Sequence, residues 1–492
     1  MSPNKRLRPS ADTVVVRMYN TGFGDCFLLA FPGDGGEPVY MLIDCGVHHQ
    51  YPCREEIMQR VVKDIKEATG DNLHVVTVTH EHTDHVYGFK YARELFDQIA
   101  IHELWLPWTE DPENEDAKKL REKYKKKEKA VNAASALLSN AKHPLATSLQ
   151  MLPSYDYPDL SAAGTGGNKE QYTYLRGRAC IKPEKSEDYH YPGEPPQTIP
   201  GVSGVKVYVL GPPKESTYIS REESQSELYP KMTALNPETS FTSAIFAHAG
   251  KVYLTEEDES IFKSSHPFTE EYEVTPEQAS KMEFFREHYG LAPSKEEAFR
   301  WRRIDLDWVT YAEQLALDLN RKTNNTSFVL AFELTRSDPK KVLLFTGDAM
   351  LGNWLSWKEH KWIDEDDGKE IDHEDLLGRT VLYKVGHHGS RNATPGKNGL
   401  ELMKSGDLVA MIPVHEYWAN TEMGWEHPAP KLLDKISLQS RKRVMRTDKI
   451  PEGDTLSDGE KEIWERHKDD LDWDKEATRL WVQYTISNKP PG

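Results

Sequence analysis

The stretch Val75-Val76-Thr77-Val78-Thr79-His80-Glu81-His82-Thr83-Asp84-His85 decides the fold of this chain. It begins with a short run of β-branched residues, which predicts a buried strand. The strand leads into the pattern His-x-His-x-Asp-His, whose imidazole and carboxylate groups are ligands that suit zinc. Four ligands so close in sequence do not suit one tetrahedral ion. The spacing therefore predicts two neighbouring metals, with His80 and His82 on one and Asp84 and His85 on the other.

Two later segments have the same design, an apolar run that ends in polar residues. Lys341-Val342-Leu343-Leu344-Phe345-Thr346-Gly347-Asp348 ends in Gly-Asp, and Val381-Leu382-Tyr383-Lys384-Val385-Gly386-His387-His388-Gly389-Ser390 ends in His-His-Gly-Ser. A strand end is rigid, and the loop after it can shape itself around a ligand. The sequence therefore predicts three strands whose ends together carry the functional residues.

These three motifs, taken together, resemble the signature of the metallo-β-lactamase superfamily. The resemblance implies an α+β fold, a four-layer αββα sandwich with large, mainly helical insertions. It also implies a two-metal site along the sheet edges, with two Zn²⁺ as the expected ions and Mn²⁺ or iron as alternatives. In that family Asp348 would bridge the two metals. His387 is predicted to be the last His ligand and His388 a proton donor or phosphate contact, and the reverse assignment stays open.

A narrower resemblance comes from the N-terminal strands. Gly22-x-Gly24-Asp25-x-Phe27-Leu28-Leu29 followed by Leu42-Ile43-Asp44-x-Gly46 resembles the metallo-β-lactamase-like domain of ComEC, a bacterial competence protein for DNA uptake, and of its relatives. In the superfamily the Asp at the end of this strand lies under the metal site. Asp44 is thus predicted to support a metal ligand, and the alternative is that it caps the following turn.

The chain departs from the general superfamily before the strand near residue 330. It has Asn325-x-Ser327 where a further His ligand is expected, as the ComEC-type relatives also do. The metal on His80 and His82 is therefore predicted to have a thin ligand set. Asn325 is a candidate to hold a water or a substrate oxygen, or else a simple cap of the strand. Ser390, after His-His-Gly, is predicted to offer a donor to an anion.

The predicted organisation is a disordered basic leader over residues 1–12 and one domain over 13–490, interrupted by insertions at about 110–200 and 214–318. Insertions of this size in a metal hydrolase commonly cover the site and set substrate choice. The basic run 118–127 is interpreted as a solvated helix face, with a nucleic-acid arm as the alternative.

Composition limits the class of protein. The chain has 492 residues and a formal net charge of −18, which disfavours a general binder of phosphate backbones. It does not exclude a nuclease whose metals supply positive charge. Four cysteines without a CxxC pair, and no long apolar run, predict a cytoplasmic protein with no membrane span.

The predicted function is a dinuclear metal-dependent hydrolase, a phosphodiesterase or nuclease that uses a metal-activated water. Asp84 is predicted to orient that water as well as to ligate, and the substrate is predicted to be a phosphoester, with DNA or RNA as candidates. The alternatives are a small-molecule hydrolase acting on a lactone, thioester or phosphoester, and a non-catalytic metal-bound partner protein.

Overall fold

The computed structural model of the chain describes residues 6–124, 169–220, 274, 276–289, 319–449, 471–473 and 480–490. The chain forms two compact units: residues 1–118, 154–225 and 321–492 make the first, and residues 119–153 and 226–320 make the second. The described part of the second unit consists mainly of two short helices. The division into one domain with two insertions stays a prediction.

One sheet of the first unit is built around the N-terminal strands. Its order is β15-β16-β1-β2-β3-β4-β5-β6, antiparallel from β15 to β3 and parallel from β3 to β6. The strands are β1 (Thr13–Tyr19), β2 (Cys26–Pro32), β3 (Pro38–Cys45), β4 (Asn72–Thr77), β5 (Ala100–Trp105), β6 (Ala179–Ile181), β15 (Leu471–Trp473) and β16 (Trp481–Ser487).

A second sheet of the same unit has the order β14-β13-β12-β9-β8-β7, parallel from β14 to β9 and antiparallel from β9 to β7. Its strands are β7 (Val205–Gly211), β8 (Val329–Leu334), β9 (Lys341–Phe345), β12 (Thr380–Lys384), β13 (Val409–Ile412) and β14 (Val444–Arg446). A two-stranded ribbon pairs β10 (Lys361–Ile363) with β11 (Glu370–Asp372).

The helices of the described residues are mostly short. In the first unit they are α1 (Arg54–Thr69), α2 (Thr83–Val86), α3 (Gly88–Tyr91), α4 (Arg93–Phe96), α5 (Lys169–Arg178), α6 (Ser216–Ile219), α9 (Leu351–Ser356), α10 (His373–Gly378), α11 (Glu416–Thr421) and α12 (Pro430–Gln439). The second unit holds α7 (Pro276–Lys281) and α8 (Glu283–His288). None of these helices has the length and apolar character needed to cross a membrane.

The two sheets bury one apolar layer between them. Alternate residues of a strand point to opposite faces, so the inward set of each strand contributes to this layer. It contains Phe27, Leu29, Phe31, Met41, Ile43 and Val75 from the first sheet, and Val207, Val209, Leu330, Phe332, Leu343, Phe345 and Met411 from the second.

The outward faces of the sheets are covered by helices. On the first sheet, Leu28, Leu42 and Val76 belong to a cluster with the apolar face of α1, and on the second, Ala331, Leu344 and Ala410 belong to it with residues of α9 and α12. The predicted αββα sandwich is confirmed. Because β3 and β4 run parallel in one sheet, and β9, β12 and β13 in the other, their carboxyl ends gather functional loops at the sheet edges.

Local predictions hold best where sequence signals are strongest. The sequence predicts a helix over 54–69, ending at Gly70; this helix is α1, and Gly70 ends it with φ of 62°. Apolar residues that recur every four positions also predict one continuous helix over 86–99. That prediction is wrong, because the chain there forms α2, α3 and α4 with a break at Ala92, where φ is −120° and ψ is 30°. Gly88 lets this segment pack directly on β3: a Cβ there would lie 2.4 Å from Cys45 Sγ.

The predicted disordered leader is wrong for residues 6–12. Leu7 is buried, its N–H donates to Ala68 O at 2.8 Å, and its carbonyl accepts a 2.7 Å hydrogen bond from the Tyr40 hydroxyl. One apolar side chain and two backbone hydrogen bonds hold the segment to α1 and to β3 of the first sheet. Residues 1–5 lie outside the described part. The basic run 118–127 is described only as far as residue 124.

Candidate metal centre

The polar residues predicted from the three motifs do meet at the carboxyl ends of the strands. His80 and His82 lie in the loop after β4, and Asp84 and His85 follow on α2. Asp348 comes three residues after the end of β9, and His388 lies in the turn Gly386–Gly389 after β12. All of them are buried.

Four of these residues form a compact cluster, which we call the four-residue group. Each contributes one ligand atom, and those atoms all lie within 4.8 Å of one another. His388 Nε2 lies 3.0 Å from Asp84 Oδ2, and His85 Nε2 lies 3.3 Å from Asp348 Oδ2. The members of the group are Asp84, His85, Asp348 and His388.

Each of the two imidazole rings of the four-residue group is fixed in one orientation by a hydrogen bond at Nδ1. His85 Nδ1 lies 2.8 Å from Asp44 Oδ2, and His388 Nδ1 lies 2.7 Å from the carbonyl oxygen of Pro413. With Nδ1 as the donor in each bond, Nε2 is the ring nitrogen that points into the group, and it could bind a metal once it has lost its proton. A carboxylate or carbonyl behind a ligating His is the usual support for a metal ligand.

Asp44 makes further hydrogen bonds besides the one with His85. It is the next-to-last residue of β3 and has φ of 57°, a left-handed conformation. It accepts hydrogen bonds from the backbone N–H and the hydroxyl of Thr79 at 2.7 and 2.8 Å. The prediction placed Asp44 beneath the site, and the structure puts it directly behind His85.

The residues of the four-residue group strongly shift one another's pKa values. Burial alone would raise the pKa of Asp84, but the hydrogen bond with His388 and the charge of His85 hold that pKa well below its usual range. Burial lowers the pKa of His85, yet the carboxylates of Asp348, Asp44 and Asp25 raise it well above its usual value. The acidic residues thus strongly favour a positive charge at the centre of the group.

The group also fits a divalent metal by its unused atoms. His85 Nε2 and Asp348 Oδ2 face each other at 3.3 Å, and Asp84 Oδ1 is buried with no hydrogen-bond partner among the described residues. Leaving such an oxygen unpaired in the interior costs about 1–3 kcal/mol. Two imidazole nitrogens and two carboxylate oxygens are a donor set that a zinc-type ion accepts. These four residues would hold the ion.

His80 and His82, the imidazole pair, lie beside the group without joining it. His80 Nε2 is 2.9 Å from His82 Nδ1, so the two ring nitrogens that face each other are within hydrogen-bond distance. Burial lowers the pKa of His82 to about 4 and that of His80 well below its usual value, so both rings are neutral near pH 7. Among the described residues, neither is part of a cluster of three or more potential ligands.

The division of roles between His387 and His388 was left open by the sequence, and the distances favour the reverse of the preferred assignment. His388 is in the four-residue group, whereas His387 is not. His387 and His388 both have a left-handed backbone conformation, with φ of 46° and 52°. Such a conformation costs about 1–3 kcal/mol for each residue other than glycine. This strained turn lets the backbone N–H of His387 donate to Asp348 Oδ1 at 2.9 Å.

The remaining candidates lie in different places. Asn325 is not directed into the group: its amide donates to Ile219 O at 3.2 Å and its Oδ1 accepts from Asn353 N at 3.1 Å. It closes a helical turn, residues 319–325, before β8. Ser390 is buried in the turn after His388, and its N–H donates to His387 O at 2.8 Å.

Sequence reasoning missed Lys384, the last residue of β12. It is 1% exposed, and its ammonium forms an ion pair with Asp25 and lies 3.3 Å from Asp348 Oδ1. Burial lowers its pKa, but Asp25 and Asp348 more than offset this and raise it above the usual value. A lysine inside an otherwise apolar strand, three residues before the His pair, was the available signal.

An aromatic wall borders the centre on one side. The ring of Phe23 lies 4.1 Å from that of His388, and the rings of Trp418 and Trp425 lie 5.2 and 5.6 Å from Phe23. The ring of His427 is 5.5 Å from that of His387. The polar cluster is therefore bordered on this side by apolar surface, which strengthens the electrostatic interactions within it.

Comparison with protein families gives a match to part of the chain. A family model of the metallo-beta-lactamase superfamily matches residues 19–148, which include β2 to β5 and the His-x-His-x-Asp-His motif. The curated proteins and the solved structures give no match to the chain. The αββα sandwich agrees with this match. This match and the four-residue group point to a metal-dependent hydrolase.

Proposed function

We propose that the protein is a metal-dependent phosphodiester hydrolase. The observation that carries the proposal is the four-residue group, in which two imidazole nitrogens and two carboxylate oxygens converge in a buried site at the ends of parallel strands. A divalent ion held there would supply Lewis-acid activation of water and of the scissile ester. Zinc is the ion proposed first, because nitrogen and oxygen donors in a set of four suit it, with Mn²⁺ or iron as alternatives.

The protein would use its own residues to direct the attacking water. Asp84 Oδ2 faces His388, whereas Asp84 Oδ1 is buried without a hydrogen-bond partner in the described part of the chain. That second oxygen would accept a hydrogen bond from a water beside the group. Because the pKa of Asp84, after the opposing effect of burial, is held down by His388 and His85, the carboxylate stays ionised for this task.

Two further imidazoles support a phosphoryl substrate. His387 Nδ1 and His427 Nδ1 are buried and, within the described residues, have no hydrogen-bond partner. Their rings are neighbours beside the group. Ring N–H groups in this position could donate to the oxygens of a phosphodiester and to the departing alkoxide. The sequence resemblance to a ComEC-type domain agrees with this substrate class, and DNA or RNA is the proposed polymer.

A cytoplasmic location is part of the proposal. All four cysteines, Cys26, Cys45, Cys53 and Cys180, are free thiols. Free thiols are typical of a reducing compartment.

A small-molecule hydrolase is the second candidate. The net charge of −18 opposes approach of a nucleic acid, and the wall of Phe23, Trp418 and Trp425 would suit an apolar acyl or aryl group. A metal-bound partner protein without turnover is the remaining alternative.

The test is a substrate panel with matched variants. Purified protein loaded with Zn²⁺ or Mn²⁺ is assayed on bis-p-nitrophenyl phosphate, plasmid DNA, single-stranded DNA and RNA, and on a lactone and a thioester. Phosphodiester turnover that disappears in Asp348→Ala and persists in the exposed control Asp434→Ala supports the proposal. Turnover of the lactone or thioester alone would favour the second candidate, and no turnover of any substrate would favour the partner protein.

A further inference from the structure

Lys384 places a buried positive charge next to the four-residue group. It is the last residue of β12, and a charged group in the interior is strongly disfavoured unless it is paired and hydrogen-bonded. An ammonium has three hydrogens to donate. The acceptors are Gly347 O at 2.7 Å, Asp348 Oδ1 at 3.3 Å, and the carboxylate of Asp25, with which Lys384 forms a close ion pair. Each hydrogen of the ammonium therefore has an acceptor.

The acceptors of Lys384 lie on segments that are far apart in the sequence. Asp25 directly precedes β2 of the first sheet, whereas Gly347 and Asp348 follow β9 of the second sheet. The backbone N–H of Asp25 also donates to the carbonyl oxygen of Asp84 at 2.8 Å, which joins the loop after β4 to the same arrangement. Lys384 therefore links the two sheets at the edge where the ligand atoms meet.

The two oxygens of the Asp348 carboxylate have different surroundings. Oδ1 accepts hydrogen bonds from the backbone N–H of His387 at 2.9 Å and from the Lys384 ammonium. Oδ2 faces His85 Nε2 at 3.3 Å within the four-residue group. A carboxylate can rotate about its side-chain bonds, and two donors on one oxygen oppose that rotation. The donors on Oδ1 therefore determine that Oδ2 is the oxygen directed into the group.

The positive charge of Lys384 has an effect on metal binding that opposes the effect of positioning. Like charges repel, so by its charge alone the ammonium would weaken the binding of a cation at Asp348. Removing Lys384 would then tighten metal binding. If Lys384 instead holds Asp348 in place, its removal lets the carboxylate turn away and weakens metal binding. The direction of the change in affinity therefore distinguishes the two roles.

We propose that Lys384 is a positioning residue of the metal centre, whose ammonium holds the Asp348 carboxylate so that Oδ2 is presented to the ion. Asp25 and Gly347 hold the ammonium in turn. This inference rests on the proposed metal-dependent function, but it concerns metal affinity and coordination geometry, which are both measured without substrate.

The experiment is a double-mutant cycle on Lys384 and Asp25. Loss of the ammonium alone leaves the Asp25 carboxylate unpaired in the interior, so Lys384→Met is compared with Asp25→Asn and with the double change. Chelator competition measures the Zn²⁺ affinity of each full-length variant, and the absorption spectrum of bound Co²⁺ reports the coordination geometry. Urea unfolding of the metal-free protein reports stability. Lys404→Met, at an exposed site, is the control.

We expect Lys384→Met to weaken Zn²⁺ binding by about 10-fold or more, both in the wild-type protein and in the Asp25→Asn variant, as for loss of a contact that orients a ligand. The Co²⁺ spectrum should change as well, whereas Lys404→Met should bind as the wild type does. The double change should recover part of the stability that Lys384→Met loses, because it leaves no carboxylate unpaired at position 25.

Equal or tighter Zn²⁺ binding when Lys384→Met is added to Asp25→Asn would overturn the inference, because Lys384 would then act only through its charge. An unchanged Co²⁺ spectrum would show that Asp348 keeps its orientation without Lys384, and would overturn it too. A double variant that does not fold would assign Lys384 to the fold instead of the metal centre, again against the inference. The expected loss of Zn²⁺ affinity, in a protein whose wild type turns over no phosphodiester, would leave this inference standing and contradict the proposed function.

Discussion

Asp44 accepts a 2.8 Å hydrogen bond from His85 Nδ1, and this contact links the end of β3 to the metal-binding motif after β4. Neighbouring parallel strands place the two residues side by side, although 41 positions separate them in the sequence. The bond fixes the ring orientation in which His85 Nε2 faces Asp348. The fold thus sets the orientation of a candidate ligand as well as its position.

Replacing Asp44 with Asn tests that support. Asn can still accept from Thr79, but its amide cannot serve as an anionic acceptor for His85 Nδ1–H. Loss of such a contact typically costs 10–100-fold in metal affinity. We expect a decrease of about 10-fold or more for Zn²⁺, measured by chelator competition. Asp434→Asn, at an exposed site, should bind as the wild type does. Wild-type affinity in the Asp44 variant would contradict its role.

The adjacent histidines should separate into two roles. His388→Ala removes a member of the four-residue group, so we expect loss of metal affinity and of turnover together. His387→Ala leaves the group intact, so we expect metal content near that of the wild type with turnover reduced by about 10²–10⁴-fold, the range of general acid–base effects. Metal analysis and phosphodiester assays on the same samples distinguish the two. Metal loss in His387→Ala and retention in His388→Ala would restore the original sequence-based assignment.

Gly46 should be intolerant of any side chain. A Cβ at this position would lie 2.0 Å from the carbonyl carbon and 2.1 Å from the carbonyl oxygen of Asp84, which are backbone atoms that cannot turn aside. Gly46→Ala must therefore displace the loop that carries Asp84, and we expect weaker metal binding and a lower free energy of unfolding. Gly35→Ala is the matched control, because a Cβ there has no neighbour within 4 Å. Equal stability and metal affinity in the two variants would refute the close-packing argument.

His48 gives a pH dependence of stability. Burial lowers its folded-state pKa to about 3, from 6.5. Between these values the unfolded chain binds the extra proton, so the free energy of unfolding falls as pH falls. From pH 7.5 to 5.5 this one group should remove about 1.4 kcal/mol.

Urea unfolding of the metal-free protein at both pH values measures this loss. His48→Gln should lose about 1.4 kcal/mol less than the wild type over the interval, whereas the exposed His102→Gln should behave as the wild type does. An identical pH dependence in the wild type and the His48 variant would show that His48 titrates normally in the folded protein.

The sequence predicted the parts of the fold that short-range patterns control. Apolar strands that end in polar residues located β4, β9 and β12, and the periodicity of 54–69 with a following glycine located α1. Helical periodicity over 86–99 was misleading, because close packing of Gly88 on β3 is a long-range contact that no local pattern reveals.

The sequence predicted which residues form the site better than it predicted how those residues are oriented. The motifs identified all of the four-residue group, but which of His387 and His388 points inward depends on two consecutive left-handed residues. Asn325 lies in a helical segment that continues to that residue, and the strand after it, β8, begins only at Val329. Asn325 therefore does not cap the start of the strand. Lys384 was missed because its role depends on its ion pairs with Asp25 and Asp348, which are far away in sequence.

Anomalous diffraction at the zinc edge, from crystals of the full-length protein grown with Zn²⁺, is the most direct measurement of the central claim. We predict a strong peak between Asp84 Oδ2, His85 Nε2, Asp348 Oδ2 and His388 Nε2. Absence of a peak at these four atoms, with zinc bound elsewhere or not at all, would contradict the account.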